Sequence, residues 1–227
     1  MERLVLDRDG RTPIEISLRP TQLMEGGITA VLLQKGASRS WISATEAIVA
    51  RCFPSGSETP EHLRPASTWR ECLGAKLAGQ SYFVETSGPF ARRIGVIDCV
   101  FAYIETSGNY TPQTPVVGIH GLYHYVSLPR QYFALRLAVT PEYQRRGFGA
   151  KFFWHNCGIA LNAGATSHWL FTEADPVKNR SVLELYRRWG YRETGLTQYY
   201  NNELQVFMSL DLSKEAARQR ALKFTAL

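Results

Sequence analysis

Two glycines in the run AVTPEYQRRGFGAKFF, Gly147 and Gly149, follow a pair of arginines, Arg145 and Arg146. At that point the sequence changes from a β-type apolar run to a helical pattern, so the glycines lie where a strand turns into a helix. Glycine lets a backbone come close to a ligand, and the N–H groups of a helix's first turn face outward together at the positive end of its dipole. A phosphate fits such a place, and the two guanidinium groups add cationic charge beside the amides. The run is not a dinucleotide fingerprint, because it lacks the third glycine of G-x-G-x-x-G, and no G-K-S/T is present for a P-loop.

A second constellation lies downstream in NRSVLELYRRWGY, where Asn179 is followed seven residues later by Tyr186 and then by Gly190 and Tyr191. Gln144, Gly147 and Gly149 fill the fixed positions of Q/R-x-x-G-x-G/A upstream. The two motifs together, in this order and at this separation, resemble the GNAT superfamily of acyl-CoA-dependent N-acyltransferases, specifically over about residues 130–212 and only in architecture before that. The resemblance implies an α/β (α+β) fold, a bent mixed sheet of about seven strands flanked by roughly four or more helices. Its fourth and fifth strands would splay to admit the pantetheine arm. It implies acetyl-CoA, or another acyl-CoA, as co-substrate, with no metal. Backbone amides of Arg145, Arg146, Gly147, Phe148, Gly149 and Ala150, beside Gln144, would hold the pyrophosphate. Leu137, Ala138 and Val139 would meet pantetheine much as an added strand meets a sheet edge. Asn179 and Tyr186 complete the expected cofactor contacts.

Aminolysis of a thioester makes further demands. An amine with a pKa near ~10.4 is mostly protonated at neutral pH and must lose a proton before it attacks. The oxyanion needs a preorganised donor, which the resemblance places at a backbone N–H around Val139. The departing thiolate needs a proton or a hydrogen bond, the role expected of Tyr186, whose phenol at ~10 would not donate downhill to a thiol at ~8.5. Many relatives carry a Glu in the fourth strand, yet YFALRLAV has no carboxylate. Glu173, at the end of the next strand, is the substitute expected as base, with Asp175 read as a turn former before Pro176. His120 and His124, read with Tyr123 and Tyr125 as part of a long loop, could line the acceptor pocket or act as bases near neutral pH. His155 and His168 read as helix-surface and strand-edge residues. Tyr199 and Tyr200, followed by NNELQVFM, resemble the last hairpin of protein N-terminal acetyltransferases, where tyrosines hold the peptide backbone.

These groups need a frame. At 227 residues, 44% hydrophobic and 20% charged, the chain reads as a soluble globular protein with a single domain over 1–212. Short β-type runs around Asp9-Gly10 predict an N-terminal hairpin over 2–18. Helices are expected over 41–53 and 67–78, then strands at 81–86 and 94–105, paired antiparallel. A connection from Thr106 to Arg130 comes next, with room for a short strand. The second half reads as strand 132–139, helix 150–163, strand 168–173, helix 179–189 and strands near 193–200 and 205–212. Residues 213–227 read as a basic, solvated tail.

The four cysteines, Cys52, Cys72, Cys99 and Cys157, have no zinc-finger spacing and read as free, buried thiols. A formal charge of +6 favours anionic partners in general, but no basic residues interleave with aromatics as a nucleic-acid platform requires. No apolar run is long enough to span a membrane, and MERLVLDRDGR mixes charges into its apolar residues, unlike a secretory signal. The cytoplasm is therefore the expected location. The expected activity is acetyl transfer to a primary amine, on a small molecule ahead of a peptide or protein. A CoA-binding sensor without turnover is the alternative of another class. The reading leaves room for a homodimer.

Overall fold

The structure is a computed structural model and describes residues 21–24, 27–34, 37, 39–53, 65–105, 111, 113–200 and 203–225. The hairpin expected over 2–18 lies outside these residues. In chain order the elements are β1 (Thr21–Met24), β2 (Ile28–Leu32), α1 (Arg39–Cys52), α2 (Pro65–Leu77), β3 (Tyr82–Val84), β4 (Ile94–Glu105) and β5 (Val116–Tyr125). Next come β6 (Gln131–Val139), α3 (Phe148–Asn162), β7 (Ser167–Glu173), α4 (Arg180–Trp189), β8 (Arg192–Tyr200), β9 (Glu203–Asp211) and α5 (Glu215–Lys223). The strands form one sheet in the order β1-β2-β4-β5-β6-β7-β9-β8, with β3 beside the first residues of β4. β6 and β7 run parallel, and the other pairs are antiparallel.

Alternation along β4 divides the core. Cys99, Phe101 and Tyr103 point to one face, where they join Phe152 and Phe153 of α3 and Ala217 and Ala221 of α5. Val100, Ala102 and Ile104 point to the other, against Trp41 and Val49 of α1 and Trp69 and Leu73 of α2. A third, aromatic cluster of Phe90, Tyr123, Tyr125, Phe133 and Phe207 adjoins the α1/α2 side through Phe83 and Leu135. Each fully buried aromatic or aliphatic side chain contributes about 1.5–3 kcal/mol, so the two-sided core carries the fold's stability. Among the described residues no helix is long and apolar enough to cross a membrane.

Two sequence expectations change. The segment 106–130 is not one long connection, because its middle is β5, a ten-residue strand in the centre of the sheet. Gly118 is required there: a Cβ would strike the Phe152 ring and lie 2.7 Å from the Ala138 carbonyl. The C-terminal residues are not a solvated tail either. They form α5, whose Ala217 and Ala221 are buried, and Gly158 of α3 lets α5 approach so closely that a Cβ there would meet Thr225 and the Ala221 carbonyl.

Candidate active site

β6 and β7 pair only over Gln131–Phe133 and Ser167–Trp169, and past that point they separate. The cause lies in β6 itself. Its register with β5 shifts between His120–Leu137 and Gly121–Leu135, leaving Arg136 as an extra residue with φ of 50°. Such a bulge bends the strand and re-aims the residues after it. Beyond it, Val139 lies opposite Gly118, while Thr140 N–H donates to the Val117 carbonyl at 2.9 Å. Antiparallel hydrogen bonding alternates, so Ala138 spends its backbone groups on β5, whereas Leu137 and Val139 turn theirs toward the gap. The Val139 carbonyl is occupied there: Gln144 Nε2 donates to it at 2.9 Å and the Cys52 thiol at 3.3 Å. By the same alternation the Val139 N–H and both backbone groups of Leu137 face the gap, and no side chain bonds to them among the described residues.

The loop after β6 makes a short turn over Pro141–Tyr143 and reaches α3 through two left-handed residues, Arg145 at φ 59° and Gly147 at φ 82°. Such alternation gathers successive N–H groups into an anion-binding concavity. Gly147 is the N-cap of α3 and supplies no side-chain cap, so the helix's first N–H groups stay free for an anion. A Cβ at Gly149 would lie 3.7 Å from Val139, which places the loop directly against the strand end. The loop is tethered on both sides. Glu142 pairs with Arg51 of α1 at 2.5 Å, and Glu105 of β4 accepts from the Tyr143 hydroxyl at 2.7 Å and from Arg146 at 3.5 Å. Arg146 also lies over the rings of Tyr143 and Phe148, whereas Arg145 makes no ion pair among the described residues.

On the other side of the gap, Asn179 precedes α4 as expected, yet its side chain does not cap the helix. Its Nδ2 donates to Thr172 Oγ1 at 2.9 Å and to the Glu173 carbonyl at 2.8 Å, tying the start of α4 to the end of β7. Glu173 is half-buried at that strand end, 3.8 Å from Lys178. Asp175 shapes the turn, accepting from the N–H groups of Val177 and Lys178, which hold its carboxyl below the usual range. Tyr186 packs among Phe153, Trp189 and Tyr191, and burial raises its phenol to about 12. No hydrogen-bond partner reaches its hydroxyl among the described residues.

The remaining candidates divide. His120 does not sit in an open loop: it is fully buried in β5, its Nδ1 donates to the Phe152 carbonyl at 3.3 Å, and burial lowers its pKa to about 3. Such a group is neutral at physiological pH and has no surface to offer an acceptor. His124 faces Asp98, whose carboxylate accepts from Nδ1 at 2.9 Å. It lies beside Tyr132 at the β5 end far from the gap. Tyr123 and Tyr125 belong to the aromatic cluster, with Tyr125 donating to Glu85 at 3.0 Å. His155 and His168 are also buried, not peripheral. Tyr103 hydrogen-bonds His155 at 3.0 Å, and His168 bridges Tyr191 at 2.5 Å and Asn156 at 3.0 Å. Tyr199 points outward, 73% exposed, but Tyr200 accepts a hydrogen bond from Arg136 Nη2 at 2.7 Å.

Sequence reasoning missed Arg136, Phe53 and Cys52. Arg136 left one sign, a lone charge inside the apolar run YFALRLAV. Its guanidinium lies 5.2 Å from the Phe53 ring at the end of α1 and 5.3 Å from the Tyr200 ring, on the sheet face away from α3.

A splayed pair of parallel strands, an uncapped helix N-terminus fed by a left-handed loop and the half-buried Tyr186 phenol are the arrangement expected of an acyl-CoA-dependent transferase. The model of the acetyltransferase (GNAT) family matches residues 82–191. No curated protein matches the chain by sequence. Solved structures share the fold. A GNAT-family protein from Desulfovibrio desulfuricans is 14% identical with TM-score 0.59, covering 82% of this chain and 99% of its own. The ribosomal-protein-S18-alanine N-acetyltransferase from Escherichia coli is 17% identical with TM-score 0.53, covering 82% and 95%. Mutant forms of the spermidine/spermine N-acetyltransferase from Vibrio cholerae are 13% identical with TM-score 0.54, covering 86% and 99%.

Proposed function

We propose that the protein transfers an acetyl group from acetyl-CoA to the primary amine of a small molecule, by direct attack within a ternary complex. The observation that carries the choice of acceptor is the span of Arg136. A peptide would need an open groove between α1 and the β8–β9 hairpin, and the Arg136 side chain reaches across that space from Phe53 to Tyr200.

The geometry supports the following roles. The N–H groups from Arg145 to Ala150 take the pyrophosphate, with the Arg145 guanidinium as added charge. Leu137 offers backbone groups to the pantetheine amides. The Val139 N–H is held in place because its residue's carbonyl is fixed by Gln144 and Cys52, and it meets the oxyanion as that charge develops. Glu173, at the mouth of the gap, receives the amine's proton directly or through water. Tyr186 stays protonated throughout, since its phenol titrates at about 12. Passing a proton from about 12 to a thiolate of pKa ~8.5 is uphill by roughly 5 kcal/mol, so Tyr186 serves the leaving sulfur by hydrogen bonding, not by full transfer.

The test is thiol release and product mass from the full chain with acetyl-CoA and separate pools of metabolite amines, polyamines and peptides. Metabolite amines should be acetylated. Tyr186→Phe should lower kcat by roughly 10- to 100-fold, the worth of one hydrogen bond to a charged group, while CoA affinity changes less. An unchanged kcat removes Tyr186 from the mechanism. CoA binding without thiol release from any pool would mean a sensor.

A further inference from the structure

Resting on this acetyl-transfer reading, we infer that the acceptor is an amine that also bears a carboxylate, and that Arg136 is the residue that recognises it. Arg136 is the bulge residue of β6, and a side chain other than glycine is strained at its φ of 50°. The strain has a geometric effect, because the bulge lies in the part of β6 that has already left β7 after Phe133, beside the gap. The distortion beside the gap therefore aims a guanidinium to the face that carries Phe53 and Tyr200.

Among the described residues, the setting of that guanidinium is that of a binding group without a paired carboxylate. Arg136 is half-buried, its flat group is held between the rings of Phe53 and Tyr200, and Nη2 donates to the Tyr200 hydroxyl at 2.7 Å. Guanidinium has five N–H donors, and a neutral phenol oxygen occupies one. No carboxylate pairs with it among the described residues. Glu85, on the same face, is engaged otherwise, by the Tyr125 hydroxyl at 3.0 Å and the Thr86 N–H at 3.1 Å. Cys72 and Tyr123 also lie near it, with the ring of Phe171 beside Tyr200, and Glu71 acts on the same Cys72 without an ion pair to Arg136 among the described residues.

A half-withdrawn cation is costly unless an anion completes it. A planar fork stacked on aromatic rings suits a carboxylate bound bidentately, whereas the ammonium groups of a polyamine would be repelled. One guanidinium with one open edge matches one negative charge. The acceptor class is thus an amino acid or a short ω-amino acid, its carboxylate on Arg136 and its amine toward the Val139 end of the gap.

The experiment uses matched pairs: proteinogenic and ω-amino acids, each beside its carboxamide and its decarboxylated amine, with acetyl-CoA and the full chain, read as kcat/KM. At least one amino acid should exceed its carboxamide by roughly 10- to 100-fold, as loss of a charge-assisted hydrogen bond predicts. Arg136→Asn, chosen because asparagine tolerates a left-handed backbone, should compress that ratio to within a few-fold, and Arg136→Lys should retain part of it. Equal rates on acids and amides in the wild-type protein, which need no variant to fold, overturn the inference. So does a preference that Arg136→Asn leaves intact. Acetylation of neutral amines or peptides without preference for a carboxylate overturns this inference alone. No thiol release from any acceptor removes the acetyl-transfer reading and this one with it.

Discussion

Lowering the pH from 7.5 to 5.5 should cost this fold a large part of its stability, through three buried histidines and well above the range where most carboxylates protonate. His120 and His168 are fully buried and held to about 3, and His155 to about 4, in each case chiefly by loss of hydration. In the unfolded chain each returns to ~6.5. A histidine with a depressed folded value stays neutral in the native state while its unfolded counterpart takes up a proton. The stability it contributes is therefore complete above ~6.5 and is lost as the pH falls below that value. At pH 5.5 each group favours the unfolded chain by about 1.4 kcal/mol, so the three together account for about 4 kcal/mol. Asp98 works in the opposite sense, because burial raises its carboxyl while His124 lowers it, and it trims the total. Against a usual stability of roughly 5–15 kcal/mol the loss is large. Urea unfolding followed by tryptophan fluorescence at pH 7.5, 6.5 and 5.5 measures it. With a slope near ~2–3 kcal/mol per M, the midpoint should fall by roughly 1.5 M. A midpoint that moves by less than about 0.3 M, or imidazole NMR signals showing all three histidines titrating above pH 6 in the folded protein, would refute the argument.

Two further perturbations separate packing from site assembly. Gly158→Ala forces a methyl group into Thr225 and the Ala221 carbonyl, and the backbone contact cannot be relieved by a rotamer change. It should cost about 1–3 kcal/mol and hasten trypsin cleavage within α5; an unchanged melting temperature would show that α5 is not seated there. Asn179→Ala removes the two hydrogen bonds that join β7 to α4. A loss of about 1–3 kcal/mol is expected, with a raised KM for acetyl-CoA because the far wall of the gap loosens. If stability falls but KM does not, Asn179 holds the fold without shaping the site.

β5 shows why part of the fold could not be seen beforehand. Its residues VVGIHGLYHY are nearly all buried, on both faces, so the strand lacks the apolar-polar alternation that marks a half-exposed one. Its glycines and histidines then look like loop composition. Each is explained only by partners distant in sequence: Gly118 by the ring of Phe152, Gly121 by Leu135 and the Cys99 carbonyl, and His124 by Asp98. α5 hid for the related reason that its buried face is made of small residues, Ala217 and Ala221, which carry little hydrophobic signal on a basic helix.

The loop proposed to hold the pyrophosphate is readable because everything it needs is contiguous. Gly147 takes a left-handed angle, the next residues open a helix, and the binding groups are backbone amides whose directions follow from those local choices. The acceptor side has no such local cause. Phe53 ends α1, Arg136 sits in β6 and Tyr200 ends β8, so the three meet only after the sheet has brought its strands together and the bulge has turned Arg136 toward them. A family signature therefore points to how a thioester would be held, whereas the proposed choice of acceptor rests on a lone arginine in an apolar strand. Its meaning depends on which distant rings it finds and on the absence of a paired carboxylate among the described residues.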